Sequence, residues 1–402
     1  MKFKYSCPDQ AISELANHLA VVTELENRSV DENIHGRVLA ESIVADRHSP
    51  AADVSAMDGY ALNIKDLQTE RNIQVEGESK AGSPAPKLKP HTAMKIFTGA
   101  IVPISANIVI KKEDTVEGDS TILIRVNERG YPKGANIRKA GENARKGSIV
   151  LREGSSITGA NAATIANFGH TQVRLTRPIK VSILTTGDEV GALSQRDPNP
   201  WEIRNSNGNS LKVFFESFPW IRIMHCQHSP DDRESIQKSI SQSLNHSDAV
   251  IMTGGVSMGD YDHVPDVIRD MSANIIFHGL PIRPGKPILG ASTKEGKLIL
   301  GLPGNPVSAM VGCQRIGLPL LKYMAGFTTW KQPPTAVRLA KCDNHSIPLH
   351  WYPLVNELPN GEIELCQTKG SGDLVALGNS SGFIEVPPNS DSEGPRNYYR
   401  WP

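Results

Sequence analysis

Apolar, β-branched runs alternate with segments of helical periodicity over residues 178–326, the central part of the chain. This alternation favours a mostly parallel sheet covered by helices, because parallel strands need a crossover, usually helical, between them. In such sheets, ligands bind at the loops that follow the C-terminal ends of the strands. The runs that predict strands are residues 179–185, 221–225, 248–252, 275–277 and 297–300, and those that predict helices begin near 207, cover 233–244 and 266–271, and begin again at Pro306 after Asn305 as an N-cap.

The two flanking regions consist of shorter apolar runs separated by glycine, proline and acidic residues. This spacing is typical of small β domains, and we expect one over residues 53–129 and a second over residues 330–402. Near the start of the chain, apolar residues recur at helical spacing, which predicts a packing helix over residues 10–25.

The composition argues against several classes of protein. The 402 residues carry 43 basic and 43 acidic side chains without a basic block, so we expect no nucleic-acid partner. At this length, two to four domains are expected. No apolar run approaches the ~20 residues of a membrane span, and the first residues lack a signal-like apolar core, which predicts a cytoplasmic protein with no membrane partner. The five scattered cysteines predict reduced, mostly buried thiols rather than disulfides or a zinc site.

A glycine-rich loop follows the strand predicted at residues 248–252. Its paired glycines, Gly254 and Gly255, can turn the chain so that backbone N–H groups face an anion at the start of a helix. Asp260 and Asp262 follow in the same loop, where a phosphate alone would disfavour negative charge, so they indicate a divalent cation or a reacting group. The alternative is a plain strand-to-helix turn in which the two carboxylates cap the helix.

A single carboxylate, Asp58, stands before a glycine in an otherwise apolar segment. Such an acid could bind metal or act as a base, although Asp-Gly is also an ordinary turn. Further along, Thr98 follows a predicted strand and precedes a glycine. It could supply a hydroxyl to an oxyanion, or it could belong to a bare turn.

Two more clusters of charged residues follow predicted strands. Asp188 and Glu189 occupy a usual place for contacts to metal or ribose hydroxyls in α/β proteins, or they complement a helix dipole. Arg283 and Lys286 lie in a proline-stiffened loop that suits an anionic substrate, with a solvated basic turn as the alternative. The chain shows no Ser/His/Asp or Cys/His nucleophile pattern, which favours catalysis by positioning, metal and electrostatics.

Taken together, six motifs resemble, in order, those of the molybdopterin molybdenumtransferase family, the bacterial MoeA group, to which the C-terminal domain of gephyrin is also similar. Any one of the motifs is weak, whereas six in the family's order are strong, and they span nearly the whole chain. The motifs are Ser55-Ala-Met-Asp-Gly-Tyr60, Thr98-Gly-Ala100, Thr186-Gly-Asp-Glu189, Gly254-Gly-Val-Ser-Met-Gly-Asp-Tyr-Asp262, Arg283-Pro-Gly-Lys-Pro287 and Leu302-Pro-Gly-Asn-Pro-Val-Ser308.

The resemblance implies a multidomain α/β plus β fold in an elongated homodimer. Its parts would be a MogA-like three-layer α/β domain with a mostly parallel sheet that binds molybdopterin, an extended β linker, an inserted β domain and a C-terminal β-barrel-like domain. The family's site lies in a cleft between the α/β domain of one subunit and the inserted β domain of the other. The implied bounds are 1–25 with 177–328 for the α/β domain and 26–48 with 132–176 for the extended β linker. They are 49–131 for the inserted β domain and 329–402 for the C-terminal domain.

The resemblance also implies an enzyme of molybdenum cofactor biosynthesis, a molybdopterin molybdotransferase. It would insert molybdate into adenylylated molybdopterin, its pterin substrate, with Mg²⁺ as the divalent cation, and release AMP. Other proteins of molybdenum cofactor biosynthesis and apo-molybdoenzymes would be its protein partners.

Matched position by position, the motifs assign the residues of the site. Asp58, Glu189 and Asp260 would hold the metal. The catalytic residues would be Asp58, Thr98, Asp188, Glu189, Asp260, Asp262 and Lys286. The phosphate, pterin or nucleotide would be bound by Gly254, Gly255, Ser257, Asn205, Ser206, Asn207, Arg283, Lys286, Pro303, Gly304, Asn305 and Ser308.

The chain departs from the family's pattern at two positions. Asn143 and Asn205 stand where the family commonly has a carboxylate, and each keeps an oxygen acceptor but loses the negative charge. A cation would then be held by fewer charges. Two alternatives stay open for this reason: a non-catalytic pterin-binding or scaffold paralogue that has lost metal insertion, and a generic nucleotide-binding transferase.

Overall fold

The structure of the protein, a computed structural model, describes residues 3–69, 72–125, 130–191, 197–257, 262–331, 334–341 and 346–402. The chain forms two compact units. Unit 1 consists of Met1–Glu41, Glu153–Ala162 and Gln172–Pro402, and unit 2 consists of Ser42–Arg152 and Ala163–Thr171. The four-part domain division stays a prediction.

In its described residues, unit 1 contains a six-stranded sheet whose strand order is β2-β1-β3-β6-β5-β4. The first four strands in this order are parallel, and β5 pairs antiparallel with both β6 and β4. The mostly parallel sheet predicted for this region is therefore confirmed. The strands are β1 (Ile179–Thr186), β2 (Ile221–Ser229), β3 (Ala249–Thr253), β4 (Asn274–His278), β5 (Leu289–Ser292) and β6 (Leu298–Leu302).

Helices follow these strands and begin close to the predicted positions. The Asp232 carboxylate caps α3 by accepting a hydrogen bond from the Ser235 N–H at 2.9 Å. Asn305 is the N-cap residue of α5, as predicted, and its backbone is extended, although its side chain makes no capping hydrogen bond. The helices are α1 (Pro8–Ala16), α2 (Ser206–Glu216), α3 (Arg233–His246), α4 (Val264–Asp270) and α5 (Pro306–Gly312), and the last continues through a π-helical stretch, Cys313–Gly317, into Leu318–Met324.

The first helix is shorter than predicted, because α1 ends at Ala16 rather than near residue 25. From Ala20 onward, N–H groups bond to other parts of the chain instead of to the helix. Ala20 donates to the Gly296 carbonyl at 2.9 Å, and Val22 donates to the Met324 carbonyl at 2.8 Å. Leu19 is buried but Val21 and Leu25 are exposed, so the apolar spacing beyond Ala16 does not indicate a helix.

Alternate residues of the central strand β3 enter two different cores, as the two-residue period of a strand requires. Ile251 packs in a cluster that contains Leu211 and Phe215 of α2. Val250 packs in a second cluster that contains Ile236 of α3. The sheet is thus covered on both faces. It is open at the C-terminal ends of its parallel strands, where the strands run into loops.

The remainder of unit 1 is mostly β structure. The C-terminal residues form a five-stranded antiparallel sheet, which confirms the second small β region. In spatial order its strands are Thr335–Val337, Arg396–Arg400, Gly382–Glu385, Leu354–Glu357 and Ile363–Leu365, with a short helix at Leu374–Gly378. Two-stranded pairs join Leu25–Ser29 to Gln172–Thr176, Val190–Gly191 to Ile203–Arg204, and Ile282–Arg283 to His350–Trp351.

Unit 2 is built on a six-stranded sheet in its described residues, which confirms the first small β region. Short helical turns occur at Ile64–Thr69 and Lys112–Asp114. A longer helix, Gly159–Asn167, has its first four residues in unit 1 and the rest in unit 2. The sheet order is Ile108–Lys111, Gly59–Leu62, Thr92–Ile96, Asn72–Ser79, Thr121–Ile124 and Thr115–Glu117, with two-stranded pairs between Ile43–Val44 and Ile149–Leu151 and between Val54–Ser55 and Ile137–Arg138.

The cysteines in the described residues are unpaired, as expected. Only Cys313 among them is buried, so the expectation of mostly buried thiols was wrong; Cys342 lies outside the described residues. No helix in the part of the chain that the structure describes combines the length and apolar character needed to cross a membrane.

Candidate functional site

The turn after β3 is shaped so that only glycine fits at two consecutive positions. Gly254 and Gly255 have φ angles of +92° and +63°, in the left-handed region. A Cβ on Gly254 would lie 2.6 Å from the Thr186 carbonyl oxygen, and one on Gly255 would lie 3.0 Å from a methyl of Val264. The Gly254 N–H donates to the Leu302 carbonyl at 3.2 Å, so this donor is already used within the protein.

Replacing Gly254 by alanine is expected to destabilise unit 1 by more than the ~1–2 kcal/mol that a left-handed conformation costs an L residue, because the new methyl also meets the end of β1. Gly361→Ala is the matched control, since Gly361 has φ +85° but no atom within 4 Å of the position that a methyl would take. The measurement is urea-induced unfolding of both variants, together with binding of inorganic phosphate. Equal losses of stability in the two variants would contradict the steric argument.

A cavity of about 830 Å³ opens over the glycine turn, at the C-terminal ends of β1, β3 and β6. Its volume is in the range of ~300–1,000 Å³ that is usual for small-molecule sites, and its position is the sheet edge expected from the sequence. The predicted site residues that line it are Glu189, Asn205, Ser206, Asn207, Gly254, Gly255, Ser257, Asp262, Pro303, Gly304 and Asn305.

The predicted cationic loop lies beside this cavity. Arg283 and Lys286 are both exposed and are outside the lining that the described residues form, although Pro287 is part of it. The Lys286 Nζ lies 5.5 Å from the centroid of the Phe3 ring, within cation–π range. Ser308 is buried in α5. The contacts of these residues with a substrate stay predictions.

The acid that sequence reasoning missed is Asp231, which lines the cavity. Its N–H donates to Asp188 Oδ1 at 3.1 Å, so the loops after β1 and β2 meet here. Burial raises the pKa of Asp231, the neighbouring Glu189 and Asp188 raise it further, and the nearby Thr186 hydroxyl lowers it. The sequence signal is the adjacent pair Asp231 and Asp232: both residue types suit a helix cap, but only Asp232 is the N-cap residue of α3.

Oδ1 of Asp231 and the Thr186 hydroxyl oxygen are both shielded from solvent. Neither has a hydrogen-bond partner of regular geometry within the described residues. A buried acceptor without a partner favours the protonated form of a carboxyl group, in the same direction as its raised pKa. The charge of Asp231 therefore depends on what binds in this cavity.

Two amides fix the start of α2 against the cavity floor. Asn205 caps the helix by accepting from the Gly208 N–H at 2.9 Å, and its Nδ2 donates to the Thr185 hydroxyl at 2.8 Å. The Nδ2 of Asn207 donates to the Gly304 carbonyl at 2.7 Å, which ties α2 to the loop after β6. Asn205 thus uses both its donor and its acceptor, although the family commonly has an acid there.

In unit 2, the structure brings together the two predicted residues that are far apart in sequence. The Oδ1 of Asp58 accepts from both the N–H of Thr98, at 2.7 Å, and its hydroxyl, at 2.8 Å. The Thr98 N–H, with its hydroxyl, holds the pKa of Asp58 below its usual range. Asp58 is exposed and is therefore an ionised carboxylate open to solvent.

The glycine after Asp58 is required by the sheet and not by a turn. A Cβ on Gly59 would lie 1.9 Å from the Ile110 carbonyl oxygen, on the neighbouring strand. The sequence Asp58-Gly59 therefore places a carboxylate at the start of a strand that is packed too closely for any side chain. The alternative of an ordinary Asp-Gly turn does not describe it.

Asp260 lies outside the described residues, so its predicted metal contact is not addressed by the structure. Among the residues that are described, no three Asp, Glu, His or Cys side chains converge as a metal site would require. The predicted metal ligands Asp58 and Glu189 belong to unit 2 and unit 1, respectively.

Comparison with protein families gives two matches along the chain. Residues 8–169 match the family described as MoeA N-terminal region (domain I and II). Residues 182–323 match the family described as probable molybdopterin binding domain. The second match begins within β1 and contains β2 through α5, including Gly254 and Gly255.

Curated relatives and solved structures resemble the chain over nearly its full length. The molybdopterin molybdenumtransferase of Haemophilus influenzae is 31% identical over 94% of this chain and 93% of its own. That of Synechocystis is 31% identical over 89% of this chain and 90% of its own. The crystal structure of the molybdopterin biosynthesis MoeA protein of Pyrococcus horikoshii OT3 superposes with a TM-score of 0.79 at 25% identity, covering 98% of this chain and 97% of that one.

Proposed function

Because the chain belongs to the molybdopterin molybdenumtransferase family, we propose that it inserts molybdate into adenylylated molybdopterin and releases AMP with the help of a divalent cation. The chain is a transferase of molybdenum cofactor biosynthesis. Beyond this family activity, we propose the insertion of molybdate, AMP as the leaving group and the need for a cation.

One observation supports the proposal most directly: a phosphate-type glycine turn and acidic side chains share one cavity. Gly254 and Gly255 line the cavity of about 830 Å³ together with Glu189 and Asp231, and Oδ1 of Asp231 lies 3.8 Å from the position that a Cβ on Gly255 would take. A substrate with phosphate groups that must react near a cation needs both features at once. A plain strand-to-helix turn needs neither the cavity nor acids beside it.

The proposed mechanism is electrostatic positioning. Backbone N–H groups of the glycine turn and the Ser257 hydroxyl would bind phosphate oxygens, and Asn207 would hold the loop after β6 in place. Arg283 and Lys286 would neutralise the remaining anionic groups, and Asp58 and Glu189 would orient the nucleophile. Each group acts by holding charge in a fixed position, in agreement with the absence of a nucleophile pattern in the sequence.

The acids present fit a magnesium ion in chemical type. Glu189 folds its carboxylate over Gly187, so that a Cβ on Gly187 would lie 2.8 Å from both carboxylate oxygens. Carboxylate oxygens are the ligands that Mg²⁺ prefers in proteins. We propose that Asp58, Glu189 and Asp260 hold the ion, which when bound would screen the charge of the phosphates.

The direct test uses the purified full chain with adenylylated molybdopterin, molybdate and Mg²⁺. The proposal expects AMP to appear in an amount equal to the pterin converted, and AMP release to fall when molybdate or Mg²⁺ is omitted. If no AMP appears under the complete conditions, the proposal is wrong.

A second candidate, the non-catalytic paralogue, is motivated by the amides at Asn143 and Asn205. Asn143 accepts from an Arg138 guanidinium N–H at 2.9 Å, and Asn205 caps α2, so an aspartate can replace each oxygen acceptor in place. For the transferase, we expect the double variant Asn143→Asp, Asn205→Asp to change AMP release by less than ~10-fold. For the paralogue, wild type would bind pterin without releasing AMP, and the double variant would gain activity. Measuring AMP release across Mg²⁺ concentrations separates the two.

We also propose that the chain is a homodimer that hands its product to apo-molybdoenzymes or other proteins of molybdenum cofactor biosynthesis. The family membership supports this assembly. Light scattering of the purified chain would give its mass, and a monomer of 43.7 kDa at micromolar concentration would refute the dimer.

A further inference from the structure

Two exposed apolar side chains line the cavity of unit 1. Ile203 is 54% exposed and Leu374 is 46% exposed, and both belong to the cavity lining. We call this pair the apolar rim. Aliphatic side chains exposed at the edge of a cavity of ligand size offer apolar surface that a bound ligand would cover.

Both rim residues stand on backbone that is fixed by hydrogen bonds. The N–H of Ile203 donates to the Glu189 carbonyl at 2.7 Å, within a two-stranded pair. Leu374 begins a short helix that Asp373 caps, with the Ala376 N–H donating to Asp373 Oδ1 at 3.0 Å. The rim is therefore a preformed surface and not the tip of a loose loop.

The segment that carries Leu374 is also fastened to the cavity itself. The N–H of Val307, in the first turn of α5, donates to the Ser371 carbonyl at 3.1 Å. Gly372, which lies between Ser371 and Leu374 in the sequence, also lines the cavity. The C-terminal part of the chain thus contributes a wall to a site whose other residues come from the central sheet.

We propose that the apolar rim covers the face of a planar heteroaromatic ring of the substrate, while the glycine turn binds its phosphate. The proposal rests on the function proposed above and names the side chains that recognise the ring. A flat ring has apolar faces and polar edges, so aliphatic side chains suit its face and discriminate by shape. No aromatic residue is among the described residues that line the cavity, so what these residues offer to the face of a ring is aliphatic.

The substrate contains two such rings, the adenine and the pterin, and both are joined to phosphate. The shared chemistry is a flat ring at a fixed distance from a phosphate. Three probes separate the sources: AMP carries the adenine, molybdopterin carries the pterin, and ribose 5-phosphate carries a phosphate with no ring.

The test compares Leu374→Ser with Val375→Ser in the full-length protein. Val375 is the matched control because it is the next residue, is 75% exposed and is not part of the lining. Each variant is titrated with the three probes by calorimetry. Loss of the leucine contact is expected to weaken binding of one ring-bearing probe roughly three- to tenfold, as burial of a few tens of Å² of apolar surface predicts.

Each outcome decides the proposal. Weaker AMP binding by Leu374→Ser, with ribose 5-phosphate unchanged, supports the rim and assigns it to adenine; weaker molybdopterin binding alone assigns it to the pterin. The rim is refuted if both ring-bearing probes keep their affinity, if ribose 5-phosphate weakens equally, if Val375→Ser has the same effect, or if wild type binds no ring-bearing probe. The rim also requires that Ile203→Ser weakens binding of the same probe as Leu374→Ser does.

The binding measurements on the rim variants can be read separately from the measurement of AMP release. If wild type releases no AMP from adenylylated molybdopterin but Leu374→Ser weakens AMP binding selectively, the proposed function fails and the ring contact stands. If AMP is released and the rim variants bind like wild type, the function stands and the rim fails.

Discussion

Replacing Asp58 by asparagine is expected to reduce AMP release by at least ~100-fold, the scale of losing a positioned catalytic charge. The substitution is isosteric, and its amide oxygen can still accept from the N–H and hydroxyl of Thr98, as Oδ1 of the acid does. The fold is therefore expected to be unchanged, and only the negative charge is lost. AMP release and circular dichroism, measured on the same preparation, test both halves.

Asp53→Asn is the matched control, because Asp53 is another carboxylate of unit 2 that accepts a backbone hydrogen bond, from the Ala140 N–H at 2.9 Å. It also pairs with Lys139 at 2.7 Å and was not predicted to act in the site. AMP release by this variant should stay within ~3-fold of wild type, the range expected when no transition-state contact is removed. The assignment of Asp58 fails if both variants lose activity to the same degree.

Contacts within one strand-loop-helix unit could be predicted from the sequence. The apolar runs indicated the parallel strands, and the paired glycines after β3 indicated the position of the cavity, because φ above zero and close backbone approach leave a direct trace in residue type. The strand β5 was not predicted. It has four residues, Leu289 to Ser292, that include Gly290 and Ala291 and no β-branched side chain, so it carries no pattern of its own.

Contacts between distant segments could not be read from spacing. The role of Asp231 could not be predicted, because two adjacent aspartates do not show which one caps the helix and which one lines a cavity. Only the fold puts Asp231 beside Asp188. Leu374 was hidden because an exposed leucine in a glycine-rich segment has no pattern. The resemblance assigned Asp58 and Thr98 to one site, and their hydrogen bonds follow from the pairing of Gly59 with Ile96, two residues before Thr98.

A buried ion pair in unit 1 leads to the second large prediction. Arg315, on the π-helical stretch, is 6% exposed, and its guanidinium donates to both carboxylate oxygens of Glu385, at 3.1 and 3.3 Å. The carboxylate also accepts from the hydroxyls of Tyr352, at 3.2 Å, and Tyr399, at 2.9 Å, and contacts His350 Nδ1 at 3.0 Å. These contacts join the helix after α5 to the C-terminal sheet.

The pKa of Glu385 is lowered from 4.5 to about 2: burial opposes the charged form, but the contacts with His350 and Arg315 outweigh it. A lowered pKa means that the stabilisation is complete above the unfolded pKa near 4.5 and is lost as the pH falls towards 2. The shift corresponds to about 3 kcal/mol. Glu385→Gln is therefore expected to lose about 3 kcal/mol of unfolding free energy at pH 7, because the buried Arg315 charge then keeps, among the described residues, only the Asp9 carboxylate, at 2.7 Å, as a charged partner, and that side chain is 70% exposed.

Glu357→Gln is the matched control in the same sheet. Glu357 also accepts from a tyrosine hydroxyl, that of Tyr398 at 2.8 Å, and pairs with Arg400 at 3.1 Å, but its side chain is 35% exposed. Solvent screens such a pair, so Glu357→Gln should lose less than about 1 kcal/mol of unfolding free energy.

Urea unfolding of wild type and both variants at pH 7, 5 and 3 is the measurement. Wild type should approach Glu385→Gln in stability as the pH falls to 3, because the charge that separates them is then being neutralised. A gap between the two that stays constant from pH 7 to pH 3 would mean that the Glu385 charge is not what stabilises this junction.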